Sequence, residues 1–152
     1  MNEPLESRRA PWHLWLVGAL ALLWNGFGAW DYAMTRTRGA AYIRDSMPGV
    51  DADRVMAYID GFPLWASIGW GLGVWGGLAG ALLLLGRHRW AVPLLALSFV
   101  GALLGIGYQI VRPIDLAQAK QGFNAVVPYL IIVVAGVLAW YASGLRARGV
   151  LR

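Results

Sequence analysis

Residues 61–86 read Gly61-Phe62-Pro63-Leu64-Trp65-Ala66-Ser67-Ile68-Gly69-Trp70-Gly71-Leu72-Gly73-Val74-Trp75-Gly76-Gly77-Leu78-Ala79-Gly80-Ala81-Leu82-Leu83-Leu84-Leu85-Gly86, with no Asp, Glu, Lys or Arg among them. A bilayer core needs about 20 apolar residues per helix, so this run is long enough to cross. Three more stretches lack charge: 10–30, 90–111 and 121–145. Four such runs in 152 residues leave little chain for a soluble domain. The expectation is all-α: a single membrane domain, residues 1–152, built as a four-transmembrane-helix bundle with spans at about 12–30, 62–85, 90–111 and 125–141.

Composition agrees. Charged residues make up 14% and hydrophobic ones 59%, against roughly 25% charged in a soluble domain. The chain has no cysteine, which removes disulfides, thiolate metal sites and a cysteine nucleophile. The formal charge of +5 reads as an orientation signal, not as a nucleic-acid footprint, because the basic residues sit beside the spans.

The first span closes on Trp24-Asn25-Gly26-Phe27-Gly28-Ala29-Trp30-Asp31-Tyr32. It ends in bulky Trp and Phe, so it reads as a span and not as a cleaved signal peptide. At 100° per residue Gly18, Ala21, Asn25, Gly28 and Tyr32 share a stripe, with Leu16, Leu20, Leu23, Phe27 and Trp30 opposite. Small and polar residues belong at helix–helix contacts, and large aliphatic ones can face lipid. Asn25 is therefore expected inside the bundle.

Asp31 to Asp60 is the one long connection. Pro48-Gly49 marks a turn. Beyond it Asp51 or Asp53 would cap a short amphipathic helix carrying Val55, Met56 and Ile59. That helix is expected to lie on the bilayer surface, with a lid over the outer end of the bundle as the alternative. In the second span Gly69, Gly73, Gly76 and Gly80 line one stripe, and Gly69-xxx-Gly73-xxx-Gly77 repeats the small-xxx-small spacing that lets backbones approach. Tight packing within the chain is the leading reading, and dimerisation through the same face is the alternative.

Arg87-His88-Arg89 is so short that spans two and three must form an antiparallel hairpin. His88 and His13 read as headgroup-facing, and two distant histidines give no metal spacing. In the third span Ser98, Gly101, Gly105, Tyr108 and Arg112 form a stripe with Gln109 at its edge. The loop after it holds Asp115, Gln118, Lys120, Gln121 and Asn124. No cofactor, no metal ligand set and no catalytic constellation emerges, so an enzyme is not expected.

With four spans both termini share a side. That side holds Arg8, Arg9, Arg87, Arg89, Arg146, Arg148 and Arg152 in compact clusters, which favours cytoplasmic termini. Asn25, Asp31, Tyr32, Tyr108, Gln109 and Arg112 then gather in the outer half as a candidate polar cluster. Asp31 is expected to pair with Arg112, because polar groups at membrane depth need partners. The cluster is either a lock that fixes helix register or an outward-facing pocket. Gly69, Gly73, Gly76, Gly80, Gly101 and Gly105 are the expected helix-packing positions.

The pattern W-N-x-x-G-x-x-D-Y at 24–32, with Met34-Thr35 after it and Phe62-Pro63-Leu64-Trp65-Ala66 opening the second span, resembles a group of small, uncharacterised bacterial four-helix integral membrane proteins. Some of these carry a sugar-transporter label. The resemblance covers nearly the whole chain and implies the bacterial cytoplasmic (inner) membrane. The expected role is a structural or accessory membrane component, in contact with the lipid bilayer and with either a second copy or another membrane protein. The alternative is a small-solute, sugar-like transporter acting as an oligomer.

Overall fold

A computed structural model describes residues 10–117 and 122–152, all helical or irregular. Arg8, Arg9, Gln118, Lys120 and Gln121 lie outside the described residues. The helices are α1 (Trp12–Arg38), α2 (Ala40–Ser46), α3 (Ala52–Asp60), α4 (Leu64–Leu85), α5 (Ala91–Val111) and α6 (Gly122–Ala147).

Three of them, α4, α5 and α6, are long and apolar enough to cross a membrane. The longest helix, α1, is not in that set. His13, Asn25 and three glycines interrupt its aliphatic residues and lower its hydropathy. Its end also differs from expectation. The helix does not stop near residue 30 but runs on to Arg38 and ends at Gly39, which takes φ +54°. No proline or glycine stands between 31 and 38, so Asp31 does not terminate anything. The last long helix likewise extends past 125–141 to 122–147.

The long helices alternate in direction. α1 runs antiparallel to α4: Gly18 meets Leu85 at one end, and Tyr32 meets Gly71 at the other. α4 and α5 touch backbone to backbone. A Cβ on Gly101 would lie 2.4 Å from the Gly73 nitrogen and 2.6 Å from the Gly69 oxygen. One on Gly105 would lie 2.7 Å from the Trp70 nitrogen, and one on Gly76 3.2 Å from the Leu94 oxygen. In lipid no hydrophobic force drives helices together, so this close van der Waals contact is the main attraction between them. On the next interface Gly136 of α6 packs against the Phe99 ring.

One end of the bundle is sealed. Leu14, Leu84, Leu95, Ala142 and Leu145 are buried there together with Val150 and Leu151. α4 ends in a 6→1 and 5→2 pair of hydrogen bonds, His88 N–H to Leu83 O (2.8 Å) and Arg87 N–H to Leu84 O (3.0 Å). Arg87 takes the left-handed position at φ +56° that glycine usually fills in this helix ending. The strained turn is held by the chain's last residues. Arg152 N–H donates to Arg87 O at 2.8 Å, and Arg89 N–H donates to Arg152 O at 2.7 Å.

The other end carries two short helices where the sequence predicted one. Asp51 caps α3 by accepting from Arg54 N–H at 3.0 Å. Val55 and Met56 pack with Tyr42, Ile43 and Ala52 in a small cluster of their own, joined by Met34 and Ala40. The apolar face of α3 is therefore turned onto α1 and α2. From there α3 reaches the end of α5, where the Tyr58 hydroxyl donates to Arg112 O at 2.6 Å and the Phe62 ring meets Tyr108 at 5.1 Å.

Candidate functional site, a cleft between α1 and α6

α1 packs on α4, α4 on α5 and α5 on α6. α1 and α6 come together at the sealed end, where His13 Nδ1 and the Tyr141 hydroxyl share a hydrogen bond and their rings meet edge to face at 5.7 Å. Farther along, the two helices bound a cavity of about 260 Å³. α1 contributes Trp24, Asn25, Phe27, Gly28 and Asp31, and α6 contributes Val127, Ile131, Val134, Ala135 and Leu138. Trp70, Gly73 and Val74 of α4 and Leu95, Ser98, Ala102 and Ile106 of α5 form the back wall. The floor, Leu95 and Leu138, is buried. The lining becomes half-exposed toward Asp31, Val127 and Ile131. The cavity is thus a cleft, closed toward the sealed end and open on the flank between α1 and α6.

Three polar side chains interrupt its apolar wall. Asn25 Nδ2 donates to Ala21 O at 2.8 Å, and its Oδ1 is seated against Gly77, where a Cβ would collide with it. Ser98 Oγ donates to Gly73 O at 2.6 Å and lies 2.9 Å from the same Cβ position on Gly77. Asn25, Gly77 and Ser98 therefore interlock α1, α4 and α5. The third polar group is Asp31, whose Oδ1 accepts from the Tyr42 hydroxyl at 2.7 Å. Tyr42 is buried against Trp30, ring to ring at 5.5 Å. Burial first, and then the Asp31 hydrogen bond and charge, push its hydroxyl up to about 12. Tyr58 is raised as well, mainly by burial and then by the neighbouring Tyr108.

The structure distributes the expected outer cluster over several places. Asn25 and Asp31 line the cleft. Tyr32 lies over α4, edge-on to Trp70 at 4.7 Å. Tyr108 is held between Phe62 and Trp65. Gln109 turns back to Gly105 O of its own helix at 3.4 Å. Arg112 is exposed at the C-cap of α5. The expected Asp31–Arg112 pair is not formed, and no ion pair joins them among the described residues. Because α1 stays helical through Asp31, that carboxylate remains on the α6 side, while Arg112 ends α5 beside α3.

Sequence reasoning placed Ser98 on the third-span stripe but left it out of the polar cluster, and it missed the seat that Gly77 makes for Asn25. The signal was present in the third glycine of Gly69-xxx-Gly73-xxx-Gly77. Gly69, Gly73, Gly76, Gly101 and Gly105 lie at the α4–α5 contact, and Gly80 lies against Leu95. That face is used inside the chain. Among the described residues every buried side-chain nitrogen or oxygen is hydrogen-bonded, and no group of three or more His, Asp or Glu is placed to hold a metal. No protein-family model, curated protein or solved structure matches this chain.

Proposed function

We propose that the chain is a four-span protein of the bacterial inner membrane with both termini cytoplasmic. In this reading it acts as a structural or accessory membrane component, without enzymatic activity, and receives an apolar membrane constituent in its lateral cleft. The observation that carries this reading is the form of the cleft. Its floor is Leu95 and Leu138, and the core that contains Leu14, Leu84 and Leu145 lies beyond it, so no path continues toward the sealed end. Its walls are mostly aliphatic and aromatic, as in sites that bind apolar groups. The fourth span is α1, which lies antiparallel along α4 and shows Leu16, Leu20, Leu23 and Phe27 on an exposed face. An exposed row of large apolar residues on a long helix is explained by lipid.

A small-solute transporter is the second reading, favoured by Asn25, Ser98 and Asp31 in the lining. Reagent access separates the two. The chain has no cysteine, so Ala135→Cys introduces a unique thiol in the cleft. An apolar lateral cleft reacts with a lipid-soluble maleimide and resists a small charged thiosulfonate. Rapid reaction with the charged reagent would contradict the accessory reading and support a water-filled solute path.

A further inference from the structure

We propose that the cleft binds one phospholipid with an amine headgroup, phosphatidylethanolamine, with an acyl chain between α1 and α6 and the ammonium on Asp31. The inference rests on the lateral-cleft reading above and specifies the occupant.

Depth places Asp31 at the headgroup level. Asp31 lies 19 residues beyond Trp12, about 28 Å along a helix, close to the roughly 30 Å thickness of a hydrocarbon core. The carboxylate therefore sits where acyl chains give way to headgroups, next to the half-exposed Trp30. Below it the cleft is lined by Val127, Ile131 and Val134. A 150 Å³ apolar cavity holds benzene, so about 260 Å³ admits a section of acyl chain.

Charge selects the headgroup. Four of the five described arginines at this end of the molecule are matched to other carboxylates, Arg36 to Asp60, Arg38 to Asp45, Arg44 to Asp53 and Arg54 to Asp115, and the fifth, Arg112, ends α5 beside α3 and away from Asp31. No cation is paired with Asp31 among the described residues. Tyr42 occupies one of its two oxygens, and a carboxylate can accept at both. The mouth of an apolar cleft thus presents a fixed negative charge with an oxygen to offer. An ammonium supplies three N–H donors and the opposite charge. A glycerol headgroup carries no positive charge to offset its phosphate, and a choline headgroup has the charge without an N–H.

The test is native mass spectrometry of the full chain released from detergent with equimolar phosphatidylethanolamine, phosphatidylcholine and phosphatidylglycerol of identical acyl chains. The expected result is one retained phosphatidylethanolamine, favoured at least tenfold over each competitor. Asp31→Asn keeps an oxygen for the Tyr42 hydroxyl and is expected to abolish the preference. Gly28→Leu places a side chain in the cleft from a position with no atom within 4 Å of its Cβ, and is expected to reduce retention of all three lipids. Equal retention of the three lipids by the wild type would overturn the assignment, whichever variants fold. So would an undiminished preference in a folded Asp31→Asn. Equal retention with Ala135→Cys still labelled only from lipid would remove the headgroup assignment and leave the lateral cleft standing. Labelling from water would remove both.

Discussion

The Tyr42 hydroxyl donates to Asp31 Oδ1 at 2.7 Å, joining α2 to the C-terminal part of α1. Tyr42 is buried while Asp31 is half-exposed at the cleft, so the bond orients the carboxylate without enclosing it. Hydrogen bonds to charged groups contribute about 1.5–3 kcal/mol, and partial exposure of Asp31 places this one near the lower end. Tyr42→Phe is expected to lower stability by about 1–2 kcal/mol, read as a shift of the melting midpoint in detergent.

Burial of Tyr42, and then its bond to Asp31, give a pH dependence. The hydroxyl is raised from 10.0 to about 12 in the folded chain, so the folded state favours its protonated form. The stability this contributes is complete below pH 10 and is lost as pH rises from 10 through 12. The difference in melting midpoint between wild type and Tyr42→Phe should therefore be constant from pH 7 to 9 and shrink above 10. A difference that stays flat to pH 12 would contradict the assignment.

Two glycines of α5 should respond in opposite directions. A Cβ on Gly101 would lie 2.4 Å from the Gly73 nitrogen, whereas one on Gly107 has no atom within 4 Å. Gly101→Ala forces two backbones apart and is expected to destabilise by about 2–3 kcal/mol, within the range for overpacking. Gly107→Ala relieves helix-interior glycine and should stabilise by about 0.5–1 kcal/mol. Size-exclusion chromatography in mild detergent should show one oligomeric state for wild type and Gly101→Ala, because this glycine face packs within the chain.

Asp51→Ala removes the side-chain cap of α3, at a cost of about 1 kcal/mol. Hydrogen exchange over 52–60 should rise while α4 and α5 remain protected. The ion pair Arg44–Asp53 is 57% and 79% exposed, and such pairs contribute about 0–1 kcal/mol. Arg44→Ala should accordingly leave the melting midpoint nearly unchanged.

The helical class and the α4–α5 contact were legible because charge-free runs and glycine spacing are local patterns. Gly69, Gly73, Gly101 and Gly105 carry their own explanation, since a bare backbone on an apolar helix has few uses besides close approach. The Asp31–Arg112 expectation failed for a different reason. Sequence placed the two at one depth but could not say which side of the bundle each faced. That depended on α1 continuing to Gly39, and the first charged residue was read as the end of the helix. Tyr42 as the partner of Asp31 depended on α2, a seven-residue helix with no distinct periodicity. The cleft was not legible at all, because it follows from the order α1–α4–α5–α6 around the bundle and from α1 and α6 meeting at one end.

Membrane topology decides whether the cleft faces lipid, since it does so only if α1 is a span. Single cysteines at Ser7→Cys, Met47→Cys and Arg148→Cys can be probed in intact cells with an impermeant maleimide. Met47→Cys is expected to be labelled, and Ser7→Cys and Arg148→Cys to react only after the cells are broken. Labelling of both Ser7→Cys and Met47→Cys in intact cells would put the two ends of α1 on one side. That result would reduce the protein to three spans and contradict the lateral cleft.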